Sequence, residues 1–235
     1  MKILISVFLL VLACVANHSS AQNTAHLFIF SGQSNMKRLD PAERFTPRVV
    51  EEYGTQNVIV VKEAQGGQPI RRWYKGWNEL VGNDTISSGD IYDVLMEKVN
   101  KSIAGIEPKT ITFLWMQGEK DANEGNGEVY KAALKGLIQQ LRTDMQRADI
   151  NFVIGRLSDF DMDNSKYQDW TMIRDIQVEV AEEDSLADWV NTDDLNDGID
   201  SQGREQQDAL HYSVEGYKTF GIRLAESAID LIKKK

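Results

Sequence analysis

Short runs rich in β-branched and aromatic residues alternate with longer segments of helical period, and this alternation limits the folds open to the chain. In the longer segments, apolar residues recur at three- and four-residue steps, as at 130–145 and 217–231. Strands that alternate with one-sided helices are typical of a parallel βαβ sheet, so the sequence predicts an α/β fold. The predicted strands lie at 26–31, 57–62, 110–116, 151–157 and 187–192.

The amino terminus is typical of an export signal. Residues 1–21 have a short basic lead and an apolar stretch too brief to span a bilayer, and small residues ending at Ala21 fit a cleavage site. The segment ending at Cys14 also resembles a bacterial lipobox, in which that cysteine would carry a lipid anchor. We therefore expect a secreted or periplasmic protein, with a lipoprotein as the alternative. The remaining residues, 22–235, are enough for a single domain.

Composition excludes several classes of partner and cofactor. The chain carries 36 acidic and 26 basic residues, a net charge of −10, which argues against nucleic acid or a membrane surface as a general partner. Segment 159–163 imitates the start of a calcium loop, but Asn164 and Trp170 stand where such a loop needs glycine and glutamate. We expect no metal and no cofactor, and take a monomer as the default.

A serine, a histidine and an aspartate suggest a hydrolytic triad. Ser34 follows the first strand at a glycine turn, where a nucleophile could be exposed. Of the three histidines, His18 lies in the leader and His26 at the far end of the first strand, which leaves His211 as the base. Asp208 stands three residues earlier and could fix the tautomer of His211. Taken alone, a turn cap and a structural histidine would explain the pair equally well.

Donors for an oxyanion are available at three strand ends. They are the N–H of Ser34, the glycines Gly66 and Gly67 after the second strand, and the side-chain amide of Gln117 after the third. A simple turn and a buried polar cap are the alternatives for the glycines and the glutamine. Because the carboxyl ends of parallel strands meet at one edge, we expect one pocket there.

Aromatic and basic residues near this edge suggest a carbohydrate substrate. Trp73, Tyr74 and Trp77 could stack on sugar rings or belong to the core. A local positive patch could favour an anionic sugar such as a uronate or sialate, although pairing with nearby acids is the more common fate of surface charges. The residues proposed for the patch are Lys37, Arg38, Arg71, Arg72 and Arg156.

Four segments together resemble the SGNH hydrolase superfamily, in its sialate O-acetylesterase-like and acetylxylan-esterase-like branch, carbohydrate esterase family six. They occur in the family's order and span most of the chain after the leader. They are Phe30-Ser31-Gly32-Gln33-Ser34-Asn35-Met36, Ala64-Gln65-Gly66-Gly67 with Trp73 beyond, Trp115-Met116-Gln117-Gly118-Glu119-Lys120-Asp121, and Asp208-Ala209-Leu210-His211. The resemblance implies a three-layer α/β/α fold with a five-stranded parallel sheet.

The same resemblance implies a role for each site residue. Ser34 would be the nucleophile, His211 the acid and base, and Asp208 its orienting carboxylate. The oxyanion hole would comprise Ser34, Gly67 and Gln117, and Glu119 and Asp121 would hold the loops. We also assign substrate binding to Gln33, Gly66, Trp73 and Arg71.

The predicted function is an exported esterase that deacetylates carbohydrates. A lipid esterase or thioesterase is the rival within the superfamily, although the residues after Met36, Lys37-Arg38-Leu39-Asp40, do not promise an apolar acyl channel. A non-catalytic carbohydrate-binding protein on the same fold is the rival from another class. A lipase-type α/β-hydrolase fits less well, because Ser34 lacks the second glycine of Gly-x-Ser-x-Gly.

Overall fold

The computed structural model describes residues 24–82 and 88–234, and its centre is a five-stranded parallel sheet. The strand order is β2-β1-β3-β4-β5, so β1 lies inside the sheet and later strands extend it in both directions. The α/β architecture with five parallel strands is confirmed, whereas the predicted signal peptide lies outside the described residues. The strands are β1 (His26–Gly32), β2 (Val58–Ala64), β3 (Thr110–Met116), β4 (Asn151–Gly155) and β5 (Ala187–Val190).

Burial distinguishes the three central strands from the two edge strands. Every residue of β1, β3 and β4 is buried, as expected for strands covered by helices on both faces. Most residues of β2 and β5 are only half-buried, because these strands form the two edges of the sheet. A separate two-stranded antiparallel hairpin consists of β6 (Gly198–Ile199) and β7 (Glu205–Gln206).

Eight α-helices in the described part of the chain connect or follow the strands. Each long helix buries one apolar face, and in the last helix that face includes Phe220 and Leu224. No helix within the described ranges has the length and apolar character needed to cross a bilayer. The helices are α1 (Ser34–Arg38), α2 (Phe45–Tyr53), α3 (Trp77–Val81), α4 (Asp90–Ser102), α5 (Glu119–Glu124), α6 (Gly127–Asp144), α7 (Trp170–Glu182) and α8 (Val214–Lys233).

Helix α8 begins directly after a serine cap. The Oγ of Ser213 accepts a hydrogen bond from the backbone N–H of Gly216 at 3.0 Å, which satisfies one of the free donors of the first turn. The same oxygen also contacts the carbonyl of Leu195 at 3.3 Å, and so joins the helix start to the preceding loop. Because His211 stands two residues before this cap, the cap also limits where the histidine can lie.

Gly32 ends β1 at a place where no side chain fits. Its φ is +141°, and a Cβ atom there would lie 2.0 Å from the carbonyl oxygen of Met116 on β3. The next residue, Gln33, donates its backbone N–H to that same oxygen at 2.9 Å. The glycine therefore allows β1 to turn against β3 directly before Ser34.

We expect Gly32→Ala to lower the free energy of unfolding by about 3 kcal/mol, from an unfavourable backbone conformation and a steric overlap with β3. Gly105→Ala is the matched control, because Gly105 also has a positive φ, +77°, but no atom within 4 Å of a built Cβ. It should cost about 1 kcal/mol. Urea unfolding measures both, and equal losses would contradict the steric explanation.

Candidate active site

A cavity of about 680 Å³ collects most of the predicted site residues at the carboxyl edge of the sheet. It is lined by residues that leave β1, β2 and β3 and by the loop that precedes α8. The predicted residues found in its wall are Gln33, Ser34, Gly66, Gly67, Glu119 and His211. Its other lining residues are Lys37, Arg38, Lys120, Asn123, Tyr167 and Leu210. The single pocket expected from strand order is therefore present.

Ser34 lies at the start of α1, beside the two glycines. A Cβ built on Gly66 would lie 3.6 Å from the Cβ of Ser34, at ordinary van der Waals contact, so Gly66 directly adjoins the serine. Gly67 has a φ of +68°, and no atom lies within 4 Å of its built Cβ position. The backbone at Gly67 therefore has open space beside it, as a group that donates to a bound substrate requires.

His211 reaches the same cavity because side chains from elsewhere hold its loop. Gln206 donates its side-chain amide to the carbonyl of His211 at 2.7 Å, and Asn35 donates to the carbonyl of Leu210 at 3.1 Å. Partial burial and the nearby Arg38 lower the pKa of the imidazole below its ordinary 6.5. The ring is therefore neutral at pH 7 and able to accept a proton. No hydrogen bond joins Ser34 and His211 among the described residues, and such bonds often tighten only when substrate binds.

Asp208 does not contact His211, in contrast to the predicted triad. Within residues 24–82 and 88–234, no hydrogen bond or ion pair joins the two side chains, and the aspartate is exposed and outside the cavity wall. Its backbone has a φ of +43°, and its N–H is held by Asp197 Oδ1 at 2.8 Å. The backbone of Asp208 is thus fixed by its bond to Asp197, while the Asp208 side chain is exposed to solvent.

Glu119 is the carboxyl group that the structure places in the cavity wall. Its side chain is only 1% exposed, and one oxygen, Oε1, accepts from Asn35 Nδ2 at 3.1 Å. The other oxygen, Oε2, is buried with no hydrogen-bond partner among the described residues. Burial raises the pKa of Glu119 to about 7, so this carboxyl holds its proton about half of the time at neutral pH. The predicted loop-holding role fits its bond to Asn35.

Asp121 bonds to residues of two different segments through its carboxylate. One carboxylate oxygen accepts from the backbone N–H of Ile70 at 2.7 Å and from the amide of Gln117 at 2.6 Å. The other accepts from Asn126 at 3.0 Å. These bonds join the segment after β2 to the segment after β3, behind the cavity.

The prediction that Gln117 donates into the oxyanion hole is wrong for this structure. Its side chain is fully buried and does not line the cavity. The amide nitrogen contacts Gln33 Oε1 at 3.3 Å and the carbonyl of Gln68 at 3.1 Å, besides Asp121. The physical reason is that the buried carboxylate of Asp121 accepts the amide and keeps the side chain inside the protein. Gln117 is therefore a buried polar group, which was the alternative to the oxyanion role.

The prediction that Trp73 binds substrate is also wrong. This side chain is fully buried, and its indole N–H donates to Ser31 Oγ at 2.8 Å. Its ring packs edge-to-face on Trp115, with ring centroids 5.3 Å apart. Trp77 is buried as well, at 2% exposure. Trp73 belongs to the core because Ser31 and Trp115 offer it a polar partner and an aromatic face.

Of the proposed cationic patch, only Lys37 and Arg38 line the cavity. Arg71, assigned to substrate binding, instead forms an ion pair with Glu124 at 2.6 Å outside the cavity wall. Arg72 and Arg156 are paired too, with Asp90 at 2.5 Å and Asp193 at 2.8 Å. Only two cations of the proposed patch therefore line the cavity, because each of the three other arginines forms an ion pair with an acidic residue.

Sequence reasoning missed two residues that build the site. Asn35 bonds to both Glu119 and Leu210, and its only sequence signal is its place beside Ser34. Tyr167 lines the cavity from the segment that imitates a calcium loop. There, Asp161 accepts from the backbone N–H groups of Lys166 and Tyr167 at 3.0 and 2.7 Å, so this aspartate orders the loop as an acceptor. Nothing in the spacing of this loop indicates that it reaches the cavity.

Known structures share this fold at low sequence identity, which is evidence for the fold alone. A protein from Arabidopsis thaliana is 19% identical, with a TM-score of 0.65 over 88% of this chain and 98% of that one. A carbohydrate acetylesterase from Xanthomonas citri is 15% identical, with a TM-score of 0.64 over 89% of this chain and 56% of that one, so this chain spans about half of its length. NanS is 11% identical, with a TM-score of 0.61 over 91% and 99%.

The chain thus has an α/β fold with a five-stranded parallel sheet and a cavity at its carboxyl edge. A family model described as carbohydrate esterase, sialic acid-specific acetylesterase, matches residues 37–230. The chain belongs to this carbohydrate esterase family and is a carboxylic ester hydrolase. The match begins after Ser34, so the assignment of the nucleophile depends on the site geometry. No curated protein sequence matches the chain.

The pKa of His211 provides a test of this geometry. We expect NMR titration to give a value below 6.5, and Arg38→Gln to move it upward, because removal of a nearby positive charge stabilises the imidazolium. His26 is an internal control: it lies at the opposite end of β1, and burial and Lys109 lower its pKa. A shift of both histidines, or of neither, would contradict the placement of Arg38 beside His211.

Proposed function

We propose that this protein is an exported serine esterase that removes acetyl groups from carbohydrate hydroxyls through an acyl-enzyme. The observation that carries the proposal is the presence of Ser34, Gly67 and His211 in the wall of one cavity. Membership of a carbohydrate esterase family supports ester hydrolysis of this kind. The proposal of export depends on residues 1–21, with lipid attachment at Cys14 as the alternative.

In the first half of the reaction, the Oγ of Ser34 attacks the acetyl carbonyl carbon while His211 accepts its proton. The backbone N–H groups of Ser34 and Gly67 donate to the resulting oxyanion, which lowers the barrier by a few kcal/mol for each well-placed donor. The bond between the carbonyl carbon and the sugar oxygen then breaks, and His211 returns the proton to that oxygen. In the second half, water attacks the acetyl carbon while His211 accepts its proton. The bond between that carbon and Ser34 Oγ then breaks, His211 returns the proton to Oγ, and acetate leaves.

The lining of the cavity favours a carbohydrate ester over a lipid ester. Three of its residues are cationic, Lys37, Arg38 and Lys120, and Leu210 is its only aliphatic side chain. An acyl chain would desolvate Lys37 and Arg38, which have no carboxylate partner among the described residues, and this is costly. Sugar hydroxyl oxygens can accept hydrogen bonds from them instead.

The identity of the nucleophile can be tested with Ser34→Ala. We expect the wild-type protein to react with a fluorophosphonate probe and to release acetate from at least one of O-acetylated xylan, pectin and sialic acid. Ser34→Ala should abolish labelling and lower acetate release by at least about 1000-fold, because the acyl-enzyme cannot form. Ser158→Ala is the control, since Ser158 is buried away from the cavity wall. Absence of labelling in the wild type would favour a carbohydrate-binding protein without catalysis.

A pair of substitutions tests which carboxyl group orients His211. We propose Asp208 for this role, because it stands three residues before His211 on the same loop, although the two side chains form no hydrogen bond within the described residues, whereas burial leaves Glu119 protonated about half of the time at neutral pH. Asp208→Asn should lower kcat by about 100-fold or more, and Glu119→Gln should have a much smaller effect. The reverse ranking, with both variants folded by circular dichroism, would assign the role to Glu119 and remove Asp208 from the mechanism.

A further inference from the structure

A second cavity of about 280 Å³ adjoins the first on the side of the β6–β7 hairpin. Arg38 lines both cavities and therefore forms part of the wall between them. The remaining lining residues are Ser201, Gln202, Tyr212, Val214 and Tyr217, from the hairpin turn and the start of α8. The mechanism proposed above uses none of these five residues.

The second cavity combines polar and aromatic side chains in a way that suits a sugar. In the described part of the chain, the side chains of Ser201 and Gln202 have no hydrogen-bond partner, and both residues are exposed. The half-buried ring of Tyr217 also lines this cavity, and the ring of Tyr212, which is only 2% exposed, packs against it with ring centroids 5.3 Å apart. Free amide and hydroxyl groups can bind sugar hydroxyls, while the accessible part of an aromatic ring such as that of Tyr217 can pack against the apolar face of a pyranose.

Arg38 is available to a ligand in either cavity. The residue is exposed, and no carboxylate lies within 4 Å of its guanidinium among the described residues. Arg71 and Arg72, by contrast, are neutralised by Glu124 and Asp90. A guanidinium has five N–H donors, which can bind oxygen atoms of a ligand.

We propose that the second cavity is a subsite for the sugar residue linked to the acetylated one, with Arg38 between the two rings. The substrate is then an acetylated oligosaccharide or polysaccharide, and a free acetylated monosaccharide is a poorer one. This inference rests on the proposed function, because the acetylated ring must occupy the cavity that contains Ser34.

Two matched pairs of probes test the subsite: O-acetylated xylose against O-acetylated xylotriose, and O-acetylated sialic acid against the same sugar at the end of sialyllactose. We expect kcat/KM for the longer member to exceed that for the shorter one at least tenfold in one pair. Gln202→Ala should reduce kcat/KM for that longer ester at least five times more than for 4-nitrophenyl acetate. Gln139→Ala is the control, since it removes an exposed glutamine from α6, far along the chain from the hairpin.

Equal kcat/KM within both pairs, from an enzyme active on 4-nitrophenyl acetate, would overturn the subsite and leave the proposed function standing. Equal losses on the oligosaccharide ester and 4-nitrophenyl acetate in Gln202→Ala would also overturn it, because they would indicate a structural effect. Inactivity on all the esters would overturn the proposed function, and the subsite with it.

Discussion

Strand β1 lies between β2 and β3, and its last residue, Gly32, is level with Ala64 on one side and Met116 on the other. All three segments that leave these strands therefore begin at the same height above the sheet. They supply the serine, the two glycines and Glu119. A one-residue slip of β1 would exchange its two faces and move every one of these groups apart. The close turn at Gly32 fixes the register that the cavity needs.

Strand pairing alone does not position His211, because its loop follows β5 at the edge of the sheet. Asn35 makes the connection instead. Its amide nitrogen donates to Glu119 and to the carbonyl of Leu210, and its oxygen accepts from the hydroxyl of Tyr217 at 2.8 Å. One buried side chain thus joins α1, α5, the loop before His211 and α8. Asn35 therefore positions the loop that carries His211, whereas the sheet positions the segments that follow β1, β2 and β3.

The sequence predicts those parts of the molecule that follow from strand order. Ser34, Gly66, Gly67 and His211 could be placed together because each stands where a strand ends or a helix begins. It does not predict the direction of a side chain within a loop. Gln117 turns inward because a carboxylate four residues later accepts its amide, and Trp73 turns inward because Ser31 can accept its indole N–H.

Charge pairing and long loops limit prediction in the same way. Arg71 could not be separated from Arg38 by sequence, because the acid that neutralises it, Glu124, is 53 residues away along the chain. Tyr167 enters the cavity wall from a loop whose order comes from Asp161 and from ring contacts with Phe160 and Trp170. Neither the Arg71–Glu124 ion pair nor the ring contacts of Tyr167 follow from a repeating pattern in the sequence.

The β6–β7 hairpin pairs with no strand of the main sheet, although it helps to enclose the second cavity. The turn residues between its two strands can therefore vary without altering the pairing that positions Ser34, as long as Gln206 of β7 still donates to the carbonyl of His211. The turn that lines the second cavity is thus separate from the strands that position the serine. A protein engineer who wanted a new preference in this scaffold would randomise positions 200–204 first and keep the sheet unchanged.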